Sequence, residues 1–405
     1  HRHGIAVVLD VVYNHFGPGD LDLWQFDGWS ENDGGGIYFY NDWRAETPWG
    51  ENRPDYGRPE VRQYIRDNAL MWLTEYRVDG LRADAISFVR NVKGESDPGA
   101  DLPDGWSLMR WINEEIRAQM PWKITIAEDL RGEAAITERT ENGGQGFGSQ
   151  WDGTFVYPIR EVLTAPDDAG RNMQEVNKAL SHNYNGDVFR RVIYTESHDE
   201  VANGKSRVAE EVMPGDADGY FAKKRAVLGT ALVLTAPGVP DVYQGSELWE
   251  DSLVDPDNRR AVDYSSPSGL AASLASREDG AAPRTLDEEK LALTSTLLRL
   301  RAEHPEAFVG TRSGYRALPV TTGHAFAFAR LVDEEAEVVV IVRRLGRRLA
   351  QLGGWREDSV VLPEGRWRHV LADGDADGGG QALSEVLGDE PVAVLVRVHD
   401  EEETA

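Results

Sequence analysis

The sequence predicts an α/β fold: a parallel sheet with its helices, followed by a smaller antiparallel β domain. Three observations predict it. Up to His304, short apolar runs alternate with longer stretches of helical periodicity, the mark of βα units. After His304 the pattern changes to strand-like runs separated by Gly/Asp turns. The chain has 405 residues, 40% of them hydrophobic, enough for one large barrel with an appendage.

The predicted parallel strands are Ile5–Val12, Val78–Ala85, Ile124–Ala127, Phe155–Val156, Val192–Thr195 and Val239–Tyr243. The predicted helices are Pro59–Tyr76, Trp106–Met120, Met173–His182, Gly219–Thr235 and Asp287–His304. In the first helix, Pro59 sits where a missing N–H is harmless, and apolar residues at 61, 65, 69, 72, 73 and 76 follow helical spacing. Residues 16–57 form a long insertion with many aromatics among Gly, Asp and Asn, which suits either a small core of its own or a substrate-binding loop. Ala325–Leu331, Val338–Arg343, Ser359–Leu362, Trp367–Leu371 and Val392–Val398 are the predicted strands of the second domain. Ser265–Arg284 reads as a loop and Asp400–Ala405 as a frayed acidic tail. The expected domains are therefore 1–305, with the insertion 16–57, and a β-sandwich over 306–405.

Composition narrows the function. Lys and Arg total 43 against 70 Asp and Glu, a net charge of −27, so a nucleic-acid partner would meet a repelling field. Arg supplies nearly all the cations. That balance fits adaptation to high salt, or an ordinary acidic protein from a GC-rich genome. Cys is absent, which excludes disulfides and thiolate metal sites. No apolar run reaches the ~18 residues of a membrane span, so no membrane partner is expected. His1, His3 and His15 give no closed zinc spacing, and no metal is expected. The opening HRHGIAVVLDVV reads as an internal start, with any targeting segment upstream.

Four strand-like runs end in residues able to do chemistry: VVLDVVYNH (7–15), VDGLRADA (78–85), ITIAEDL (124–130) and VIYTESHDE (192–200). A parallel barrel gathers the C-terminal ends of its strands on one face, so these tips would meet. Glu128 and Asp199 are 71 residues apart, which fits two βα units of roughly 30–35 residues each. Carboxylates at such tips suit retaining glycosidic cleavage, which needs a carboxylate nucleophile and a protonated acid about 5–5.5 Å apart. Arg82 lies two residues before Asp84 and shares its face of an extended strand, where it would aim that carboxylate. His15 and His198 would donate hydrogen bonds to sugar hydroxyls. Asp10 and Asn14 are expected in support.

The four segments resemble the signature regions of the α-amylase clan of glycoside hydrolases (family 13): DVVYNH (10–15), GLRADA (80–85), IAED (126–129) and ESHDE (196–200). The resemblance implies that Asp84 is the nucleophile, Glu128 the general acid/base and Asp199 the stabiliser of the transition state, with Arg82, His15 and His198 orienting substrate and nucleophile. It covers roughly residues 5–304 and implies a (β/α)8 TIM barrel. The clan's first signature region lies at its third strand, so about the first two βα units are absent here. Within the clan, HDEVANGK (198–205), VMPGD (212–216) and GGQGFGSQWD (143–152) are similar to glycogen branching enzymes, whereas APGVPDVYQGSE (236–247) is closer to hydrolytic amylases and trehalose-pathway members. The implied function is that of a 1,4-α-glucan branching enzyme acting on glycogen, amylose or maltodextrin without a cofactor, in the cytoplasm. The alternatives are an α-amylase-like or trehalose-pathway hydrolase, and an inactive glucan-binding fragment.

Overall fold

The computed structural model describes residues 1–17, 23–167, 170–201, 206–213, 215–216, 219–248, 265, 269–270, 285–344 and 346–399. They form two compact units: 1–154 with 183–192, and 155–182 with 193 onward. Most of Ser265–Arg284, the tail 400–405, residues 202–205 and Pro214 lie outside the described residues.

The first unit is built on short parallel strands in chain order: β1 (Val8–Val11), β2 (Gly80–Ala83), β3 (Ile124–Ala127), β4 (Ser149–Trp151) and the start of β5 (Arg191–Ile193). Asp10 pairs in register with Arg82, and Arg82 with Ile126. Alternation then sorts the side chains. Leu9, Val11, Leu81, Ala83 and Ala127 turn to a core shared with helices α1 (Pro59–Thr74), α2 (Ile86–Arg90) and α3 (Pro103–Gln119). Asp10, Arg82 and Ile126 turn the other way, and two residues beyond the last two, on the same face, come Asp84 and Glu128. Helix α1 stops two residues short of the predicted Tyr76, and the chain turns at Arg77 with a positive φ of 59°. Helix α3 starts a turn earlier than predicted, with Pro103 in its first turn. Its Gly105 is obligatory, since a Cβ there would lie 1.9 Å from the Val89 carbonyl of α2.

The fourth strand is not Phe155–Val156, as predicted, but Ser149–Trp151. Phe155 and Val156 open helix α4 (Gly153–Thr164), where they and Ile159 and Leu163 form a buried helical stripe. Asp152 accepts from the amide and hydroxyl of Thr154, in the manner of an N-cap.

In the second unit, α4 packs with α5 (Met173–Ser181), α6 (Val208–Val212), α7 (Tyr220–Thr235) and α8 (Leu286–Glu303). The short strand β6 (Val239–Pro240) leads to Asp241, whose amide donates to the Ile193 carbonyl. Thr285 and Glu288 close a capping box at the start of α8. Six antiparallel strands follow, β7 (Ser313–Leu318), β8 (Ala325–Val332), β9 (Glu335–Arg343), β10 (Ser359–His369), β11 (Asp375–Ala382) and β12 (Val392–Val398), in the order β11-β10-β12-β9-β8-β7. The sheet curls onto itself: Thr321 and Val361 exchange backbone bonds with Ser359 and Pro319. Its two faces are both buried. Val338, Val340, Val342, Val392 and Val394 meet the helices, and Val339, Ile341, Ala393 and Leu395 meet an inner core with Trp367.

Candidate active site

Arg82 is the centre of the site in the first unit. Its Nη1 donates to Asp84 Oδ1 at 2.7 Å and to Asp10 Oδ1 at 2.8 Å. Its Nη2 stands 2.9 Å from Glu128 Oε2, an ion-pair contact lying off the N–H axis rather than a hydrogen bond. The guanidinium lies over the Trp151 ring, 4.3 Å from its centroid. Burial works against a charge on Arg82, but Glu128, Asp10 and Asp84 together outweigh it and raise its pKa. Two of the predicted acids therefore converge on one planar fork, as strand register requires.

Each acid has further partners. Asp84 Oδ2 accepts from Asn14 Nδ2 at 2.8 Å, so both of its oxygens are held. Glu128 Oε2 accepts from the amide of Ala85 at 2.8 Å. The Glu128 amide donates to the Ala83 carbonyl, continuing the ladder past the strand end.

His15 sits 2.5 Å, through Nδ1, from Asn14 Oδ1. Asn14 Nδ2 faces two acceptors, the carbonyl and the carboxylate of Asp84, which fixes the amide's orientation. Asn14 Oδ1 is therefore an acceptor, and Nδ1 of His15 carries the hydrogen. Burial lowers the His15 pKa, with Asp84 pulling the other way. The neutral ring thus presents Nε2 as an acceptor. A hydrogen on Nδ1 suits an acceptor at Nε2, where the sequence reading expected a donor to sugar hydroxyls. Trp49, from the insertion, stacks on the His15 ring at 4.5 Å and meets Phe88 edge-on.

His198 and Asp199 lie in the second unit, with His198 Nε2 3.4 Å from Asp199 Oδ2 and both side chains partly exposed. Their loop is anchored by Glu196. Glu196 Oε1 accepts from the Val208 amide, and Oε2 from Arg207 Nη1 at 3.1 Å and Ser246 Oγ at 2.5 Å. Burial pushes the Glu196 carboxyl up, but Lys290, then Arg207, then the two neutral donors hold it below the usual carboxylate range.

Sequence reasoning missed the contributions of Trp151, the Ala85 amide, Asp129 and Glu196. The Gly-rich stretch before Trp151 was a signal for the first. Asp129 and Glu196 lie inside the quoted segments IAED and ESHDE but were given no role there, and nothing in the sequence pattern marks the Ala85 amide.

The alpha-amylase catalytic-domain family matches residues 24–289 of the chain. The chain belongs to the alpha-amylase family. The 1,4-alpha-glucan branching enzyme GlgB of Kitasatospora aureofaciens is 28% identical over 418 residues, covering 97% of this chain and 50% of the relative. That of Oceanobacillus iheyensis is 30% identical over 269 residues, covering 62% and 40%. The chain thus spans half or less of the length of these relatives. Among solved structures, the alpha-amylase of Geobacillus thermoleovorans complexed with acarbose aligns over 99% of this chain and 79% of its own, with TM-score 0.66 and 20% identity. The pullulanase of Anoxybacillus sp. LM18-11 complexed with maltotetraose aligns over 98% and 55%, with TM-score 0.63 and 19% identity. These likenesses bear out the expected fold, the amylase-type TIM barrel lacking about its first two βα units and followed by an antiparallel β domain.

Proposed function

We propose that the protein carrying this chain is a retaining α-glucan enzyme, a 1,4-α-glucan branching enzyme of glycogen-type metabolism. The observation that carries this is the pair Asp84 and Glu128 held on the Arg82 fork, in a chain that the Kitasatospora branching enzyme matches over 97% of its length. Asp84, with both oxygens accepting, attacks the anomeric carbon. Glu128 gives its proton to the glycosidic oxygen as that C–O bond breaks, and a glycosyl ester of Asp84 forms. Glu128 Oε2 faces an amide N–H and a cation, so the proton is delivered from Oε1. Glu128 then takes a proton from a glucan 6-hydroxyl, whose oxygen displaces Asp84 from the anomeric carbon. Asp199 stabilises the oxocarbenium-like transition state, and His198 and His15 bind sugar hydroxyls, roles supported by the match of their motifs to the family.

The catalytic domain is taken as 1–305, with 306–405 a β-sandwich appended to it. No described helix is long and apolar enough to cross a membrane. On the likeness to the GlgB branching enzymes we propose a cytoplasmic enzyme that acts on an α-glucan. The second reading, α-amylase-type hydrolysis, is favoured by the segment 236–247. The products decide between them. Branching leaves reducing ends nearly constant while amylose loses its iodine colour and α-1,6 linkages appear by NMR. A rise in reducing ends in step with cleavage, without α-1,6 linkages, would assign hydrolysis.

A further inference from the structure

Each of the two acids at the Arg82 fork is followed by one residue to which the chemistry above gives no task. After Asp84 comes Ala85, whose backbone is left-handed at φ 42°, ψ 51°, a strained conformation for a residue with a Cβ. Its amide donates to Glu128 Oε2, and the next amide, of Ile86, donates to the Glu128 carbonyl at 2.8 Å. After Glu128 comes Asp129, which is fully buried. Arg90, the last residue of α2, grips it with two bonds, Nε to Oδ2 at 2.5 Å and Nη2 to Oδ1 at 3.2 Å. Arg90 is itself buried, and its third donor, Nη1, meets the Glu95 carbonyl at 3.0 Å. The Arg131 amide also donates to Asp129.

The short helix that follows the nucleophile is therefore tied at its near end to the acid and at its far end to the residue after the acid. Residues 84–90 and 128–129 close a ring. An apolar pair could fill the place of Arg90 and Asp129 at no loss of stability. A two-pronged Arg–carboxylate contact does something an apolar pair cannot: it fixes direction and distance together. Retaining cleavage depends on that distance, about 5–5.5 Å between the two carboxyls. We propose that the buried Arg90–Asp129 pair is the device that holds Glu128 at its working distance from Asp84, making both of them positioning residues for the general acid. This rests on the reading of Asp84 as nucleophile and Glu128 as acid.

Such a role has a signature in the leaving group. A maltooligosaccharide leaves only with a proton from Glu128, whereas fluoride leaves from an α-maltosyl fluoride with little acid assistance. Both need Asp84. Asp129→Asn should therefore lower the first half-reaction, read as kcat/KM, by on the order of 100-fold on the maltooligosaccharide and far less on the fluoride, read as first-turnover fluoride release; the second half-reaction, where Glu128 is the base, is common to both substrates and stays outside the comparison. Asp129→Asn leaves Arg90 buried beside a neutral group and can fail to fold. Arg90→Gln/Asp129→Asn removes both charges at nearly constant volume and should show the same split. Arg90→Lys, which keeps the charge and one prong, should recover part of the loss. Equal losses on both substrates in the double variant, or no loss on either, would overturn the proposal. Glu128→Gln serves as the control. If it lacks the split between the two substrates, the assignment of Glu128 as acid is at fault, not the role of the pair.

Discussion

Replacing Arg82 by Met would remove the group that touches Asp10, Asp84 and Glu128 together. A hydrogen bond to a charged partner is worth about 1.5–3 kcal/mol, and the 2.9 Å ion-pair contact of Arg82 with the largely buried Glu128 is counted at the same value. Two of the three contacts reach the reacting carboxylates, so the transition state should lose about 3–6 kcal/mol, or roughly 10²–10⁴ in kcat/KM. Arg82→Lys keeps the charge, but an ammonium is a point donor and cannot span the carboxylates as the planar fork does. It should retain one of the two contacts and lose about 10–10². Stability should fall as well, by about 3–5 kcal/mol in Arg82→Met, because the carboxylates left behind are partly buried and repel one another. The assays are kcat/KM on a maltooligosaccharide and urea unfolding. Turnover of Arg82→Met within about tenfold of the parent would refute the reasoning, since one lost charged contact alone predicts more. So would equal losses in the Lys and Met variants.

Three further outcomes are expected. In ¹⁵N NMR near neutral pH, His15 should show a protonated Nδ1 and a bare Nε2. Its folded pKa lies below the ordinary 6.5, so its contribution to stability should be present above that value and be lost as the pH falls through the lowered one. Glu196→Gln should destabilise by about 3–5 kcal/mol in denaturant, because the cationic Arg207 and Lys290 lose their buried anion. Adding Lys290→Met should restore part of that. In and beside β1, Ile5, Val7, Val8 and Val12 are exposed by 66, 47, 38 and 46%. An apolar edge of this kind invites pairing, and Val7→Lys should lower self-association in sedimentation velocity. Unchanged association would show that another surface is responsible.

The legible parts of the sequence were those that burial writes into a pattern. The runs around β1 and β3 are rich in Val and Ile, and the carboxylates at the ends of β1, β2 and β3 stood out against their apolar neighbours. Strand β4 was misplaced because Ser149–Trp151 is only three residues long and lacks β-branched side chains, while the neighbouring Phe155–Val156 is a stronger apolar pair that belongs to a helix. Strand β11 was missed for a different reason. Asp375–Ala382 holds three consecutive glycines, lies at the edge of its sheet and buries no side chain, so it is a strand only through its backbone bonds to β10. At the site, Arg82 and Asp84 share a strand and could be linked by parity alone. Arg90 and Asp129 are 39 residues apart, and their contact depends on how α2 packs, which no periodicity records.

The same separation of signals bears on which reaction the enzyme performs. On the proposed assignment, branching and hydrolysis share the first half-reaction, with Asp84 as nucleophile, Glu128 as acid and the same Arg82 fork. They part only when the glycosyl ester on Asp84 meets either a sugar hydroxyl or water. Water is present at about 55 M, so a transferase succeeds only if its surroundings hold an acceptor in line and keep water out. Strand register cannot supply that, since it fixes the acids and nothing beyond them. In the first unit the insertion offers candidates among its described residues. Trp49 covers the His15 ring, and Trp43 and Phe26 are exposed by 61 and 62% as flat apolar faces. Substitutions there should change the ratio of transfer to hydrolysis while the rate of ester formation stays the same. Measuring that ratio in Trp43→Ala, with ester formation followed by fluoride release from α-maltosyl fluoride, separates the two halves. A parallel fall in both would mean that the insertion serves the fork itself rather than the choice of acceptor.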